Sequence, residues 1–103
     1  MSVKGQLVAS RDFLMVGMRA VERSSSADSQ AGKVIRACLD MVEQLVRQAE
    51  NVRINDIDTT IAVLTRGAAE IQADEGQAAH AVTAALRNAI GKLQASKSEL
   101  VPK

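Results

Sequence analysis

IDTTIAVLTRGAAEIQADEGQAAHAVTAALRNAIGKL, residues 57–93, carries the sharpest pattern in the chain. Stepping through it by 3.6 residues from Ile57 gives Ile61, Leu64, Ala68, Ile71, Glu75, Ala79, Val82, Leu86, Ala89 and Leu93. Every position on that path except Glu75 is apolar, which is the signature of helix with a single buried stripe. The exception lies in Asp74-Glu75-Gly76-Gln77 and admits two readings. Unbroken phase predicts one helix over 57–95, about 58 Å long at 1.5 Å per residue. A break near Gly76 instead makes Asp74 the cap of a fourth helix, because acids and glycine suit a helix boundary better than an interior. The preserved stripe favours the continuous helix.

Upstream of this stretch, residues 26–52 read as a second helix. Ser25-x-x-Asp28 has the form of a capping box with a short acid. Ala31, Val34, Cys38, Met41, Leu45 and Val52 then recur at helical spacing, and Ile35, Leu39, Val42, Val46 and Ala49 form an adjacent row. Two rows make a stripe wide enough to face more than one neighbour. Residues 6–23 read as another helix through Leu7, Leu14, Met18 and Val21; neither alternate set of residues there is cleanly apolar, so a strand is disfavoured. Asn55 and Asp58 are the candidate caps of the helix that follows, and 96–103 is expected to fray. The residues show no internal repeat.

These elements predict a single all-α domain over 1–103, an antiparallel bundle of three helices, or four if the chain breaks near Gly76. A helix over 57–95 outruns its partners and leaves Val82, Leu86, Ala89, Ile90 and Leu93 as candidate interface residues, with self-association, most simply a two-fold dimer, as the expectation.

Composition narrows the function. Phe13 is the sole aromatic, so the core is built from aliphatic side chains and Met. Thirteen Lys and Arg balance twelve Asp and Glu, which argues against non-specific nucleic-acid binding. Arg11, Arg19 and Arg23 on the first helix are the residues an alternative reading, a small nucleic-acid-binding or regulatory dimer, would use. Asp12 and Glu22 dilute them, and no aromatics are available to stack on bases. One Cys excludes an internal disulfide, no apolar run approaches a membrane span, and no secretory leader is recognisable, so a cytoplasmic location is expected.

Candidate chemistry is sparse. Cys38 falls on an apolar row, where a free thiol serves as a small hydrophobe. His80 is the one histidine, too few for a zinc site with a single Cys. Glu70, Asp74 and Glu75 crowd one helix face, but Arg66 four residues before Glu70 supplies an ordinary surface pair. The glycines form no phosphate-binding loop. No cofactor or metal is expected. The sequence therefore predicts a non-catalytic helical interaction protein that acts on itself and on another protein, as adaptor, chaperone, scaffold piece or inhibitor.

Overall fold

A computed structural model describes residues 3–24, 30–71 and 77–100. It contains four helices, α1 (Val3–Arg23), α2 (Gln30–Arg47), α3 (Ile54–Ile71) and α4 (Gln77–Leu100), and no strand among the described residues. The all-helical expectation holds, and the count is four. The single helix over 57–95 is corrected: α3 and α4 fold back on one another, with Lys97 Nζ of late α4 reaching Asp58 Oδ1 of early α3 at 2.8 Å. Each arm of a hairpin needs its own core-facing row. A 3.6-residue count cannot distinguish one helix from two when the joint keeps phase. The acids proposed as the boundary, Asp74 and Glu75, lie outside the described residues, as does the Ser25–Asp28 box.

The helices run antiparallel around a ring. Gly17 of late α1 lies against Ala85 of early α4 and Ile35 of early α2, and Gln30 of early α2 reaches Glu70 of late α3. α1 packs most extensively on α4, and α1 and α3 stand diagonally apart. One aliphatic core joins all four helices, with Leu7, Leu14, Ile35, Val42, Ile57, Leu64, Leu86 and Leu93 fully enclosed.

Burial reveals a repeat that residue identity hides. The buried positions of α1 are Leu7, Ser10, Leu14, Gly17 and Val21. Those of α3 are Ile57, Thr60, Leu64, Gly67 and Ile71, each fifty positions later. Six buried positions of α2 (Ala31, Val34, Ile35, Cys38, Val42, Leu45) correspond in the same way, fifty-one positions on, to Val82, Ala85, Leu86, Ala89, Leu93 and Ser96. The close contacts repeat too. A Cβ at Gly17 would lie 2.9 Å from Ala85 Cβ, and one at Gly67 would lie 2.6 Å from Cγ1 of the corresponding Val34. Glycine at these two crossings lets neighbouring helices approach without a side chain between them. The buried hydroxyls are satisfied locally: Ser10 donates to the Leu7 carbonyl at 2.7 Å, and its counterpart Thr60 to that of Asp56 at 2.9 Å. Ser96 donates to Lys92 at 3.1 Å. Such pairing removes most of the penalty of enclosing a polar group.

Helix ends differ from expectation in instructive ways. α2 stops at Arg47, and 48–53 form the turn into α3. α3 begins at Ile54, because the Arg53 N–H donates to Asp56 Oδ2 at 3.1 Å. Asp56 thus supplies the acidic half of a capping box, three residues inside the helix, where neither Asn55 nor Asp58 is the cap. α4 continues to Leu100, which packs on the core, and Ser96 is fully enclosed.

Candidate functional site

The α4 stripe cannot serve as an open surface. Val82, Leu86, Ala89 and Leu93 are wholly enclosed and Ile90 packs beside them, all within the chain's own core. Once the chain reverses between α3 and α4, the first hairpin covers the face that an overlong helix would have exposed. The structural basis for a self-interface there is gone.

Of the groups with chemical potential, Cys38 and Glu70 lie close enough to interact. Cys38 is buried against Gly67. Burial, and secondarily the Glu70 carboxylate, raises its thiol from 9.0 to about 11, so it is protonated at neutral pH and no nucleophile. His80 is exposed. Glu70 accepts a hydrogen bond from Gln30 Nε2 at 3.3 Å. Among the described residues no three of His, Cys, Asp and Glu gather as metal ligands, and no helix is long and apolar enough to cross a membrane. Two shallow grooves mark the end of the bundle near the α2–α3 turn. One, about 170 Å³, is lined by Met41, Gln44, Leu45, Asp56 and Thr60; the other, about 260 Å³, by Lys4, Arg47, Glu50 and Asn51. Both are smaller than the roughly 300–1,000 Å³ usual for small-molecule sites.

The unusual surface is the outer face of α1. At 100° per residue, Val8, Asp12, Met15, Val16, Arg19 and Arg23 fall within an arc of about 100°, opposite the buried row. Val16 is 62% exposed and Met15 37%, and among the described residues these are the large hydrophobic side chains that stand out in solvent. Val8 and Phe13 are half-buried but lie outside the core cluster. The matching helix α3 carries polar residues at the places of Val8, Met15 and Val16. The corresponding positions on α3 are Thr65 for Met15, Arg66 for Val16 and Asp58 for Val8, whereas Phe13 corresponds to Val63, which packs against the core. The arginines singled out in the sequence separate here. Arg19 and Arg23 are exposed on the outer face. Arg11 is turned partly into the bundle, its Nε shut from solvent and its Nη2 3.7 Å from Asp12 Oδ1. The signal that could have found this face was Val16: its position on the helix is set by the Leu7–Leu14–Val21 row, and it points away from that row. Family models, curated proteins and solved structures, each compared with the chain, gave no match.

Proposed function

We propose that the protein is a non-catalytic helical interaction module that works through protein–protein contacts made by the outer face of α1. The observation that carries this reading is the exposure of Val16 and Met15 on a helix whose counterpart, α3, presents Arg66 and Thr65 at the same places. An isolated apolar side chain on a surface is ordinary, but an apolar centre flanked by charges on one helix is the form of a helix-docking face. The burial and protonation of the Cys38 thiol, which the Glu70 carboxylate reinforces, support a role without catalysis.

The test is position-specific photo-crosslinking in cells. A photoreactive amino acid replaces Val16 in one variant and Arg66 in another. Discrete protein adducts at position 16, and none at position 66, are expected. Adducts at neither position, or the same adducts at both, would overturn the assignment. Nucleic-acid adducts at position 16 would also do so, in favour of a regulatory role for Arg19 and Arg23.

A further inference from the structure

The charges around Val16 point to one particular occupant. Asp12 precedes the Met15–Val16 pair on the outer face and Arg19 follows it. The midpoint of Asp12 and Arg19 coincides with the midpoint of Met15 and Val16, and the midpoint of Val8 and Arg23 falls at the same place. A two-fold axis through that point sets a second α1 antiparallel to the first. Met15 of each copy then meets Val16 of the other, and Asp12 of each faces Arg19 of the other. Val8 comes under the aliphatic stem of Arg23, a use to which long basic side chains are suited.

The arrangement also brings a second acid, besides Glu22 of the same chain, to the two exposed arginines. Arg19 and Arg23 are exposed at i, i+4, where like charges disfavour one another. In the antiparallel pair, Asp12 of the second copy lies beside both arginines. Within the outer arc the charge before the apolar centre is Asp12, which Arg11 of the same chain approaches at 3.7 Å, and those after it are Arg19 and Arg23; that order is complementary to itself under two-fold rotation, and not under parallel alignment. Resting on the reading of α1 as the working surface, the geometry points to a second copy of this chain as its partner, docked antiparallel α1 to α1 with paired Asp12–Arg19 bridges. Such a one-helix contact lies at the small end of protein interfaces and gives a reversible dimer.

Sedimentation equilibrium across a wide concentration range tests this with wild type, Asp12→Arg, Arg19→Asp and the double swap. Circular dichroism confirms that each variant keeps its helices. Wild type is expected to show a monomer–dimer equilibrium. Each single swap brings like charges together twice per dimer and should weaken association by more than about tenfold. The double swap should restore it. A monomeric wild type, or single swaps that associate as wild type does, would overturn the dimer. If the wild type is monomeric and crosslinks at position 16 still form to a different protein, the interaction module stands and only the second copy is refuted.

Discussion

Gly17→Ala should destabilise the bundle even though it replaces a poor helix former with the best one. The added Cβ would lie 2.9 Å from Ala85 Cβ and 3.3 Å from Ile35 Cδ1. Carbon atoms in ordinary contact sit about 3.5–4.0 Å apart. Ile35 can swing its terminal methyl aside, but Ala85 Cβ is fixed to the backbone, so α1 and α4 must separate by something under or near 1 Å, on the order of that shortfall. Overpacking costs about 1–3 kcal/mol. The gain in helix propensity is about 1 kcal/mol, which leaves a net loss of about 1 kcal/mol from the middle of the range. For a domain of this size that lowers Tm by about 4–8 °C. Gly91 is exposed with nothing within 4 Å of an added Cβ, so Gly91→Ala should raise Tm by the propensity gain alone. The assay is thermal and urea unfolding followed by circular dichroism for Gly17→Ala, Gly91→Ala, Ala85→Gly and the Gly17→Ala/Ala85→Gly pair. The double variant regains the space and should return close to wild-type stability, a coupling of about 2 kcal/mol between the two sites. If Gly17→Ala raised Tm as Gly91→Ala does, the close α1–α4 crossing would be refuted.

Three further outcomes are expected. The Cys38 thiol titrates near 9.0 in an unperturbed chain and about 11 in the folded one, raised by burial and by Glu70. The folded state therefore holds this proton more tightly, and its contribution to stability is intact below pH 9 and lost between pH 9 and 11. Denaturant titrations should show wild type losing more stability than Cys38→Ala over that window; parallel losses would contradict the burial of the thiol. Asp56→Ala should cost about 1 kcal/mol through loss of the Arg53 N–H bond that starts α3, measured as a lower urea midpoint with an unchanged slope. Lys97→Met should cost no more than about 0.5–1 kcal/mol because the 2.8 Å bridge to Asp58 is roughly half exposed, and the cost should shrink as salt is added.

The residues that could be read from the chain are those whose burial follows from a single helix. The rows through Leu7, Leu14 and Val21, and through Ile57, Leu64 and Ile71, were plain from spacing because each fixes one face of one element. The joint after Ile71 was not, because the apolar row resumes in phase at Ala79 and phase carries no information about reversal. The site carries the same ambiguity: a single helix over 57–95 leaves Val82 and Leu86 at the surface, whereas the folded hairpin encloses them. The start of α3 was misplaced because the capping signal lay in Asp56, inside the helix, and its partner was a backbone amide that no residue type announces. The correspondence of the two hairpins, fifty positions for α1 and α3 and fifty-one for α2 and α4, keeps identity only at Leu14/Leu64 and Gly17/Gly67 among the buried pairs; elsewhere Leu and Ile, Ser and Thr, or Cys and Ala fill equivalent positions. The α1 face needed a reference. Val16 is unremarkable alone, and becomes informative beside Arg66 at the matching place on α3.

The most direct test of the account is a single variant, Val16→Asp, followed by its solution mass and its melting temperature on the same sample. A side chain that is 62% exposed outside the core contributes little to folding, so Tm should stay within the change produced by about 0.5 kcal/mol. Wild type is expected to gain mass with concentration and the variant is not, because the substitution places a charge at the centre of the proposed α1–α1 contact. A large fall in Tm would show that Val16 belongs to the core. Mass that rises with concentration exactly as in wild type would show that the outer face of α1 is not where this protein associates.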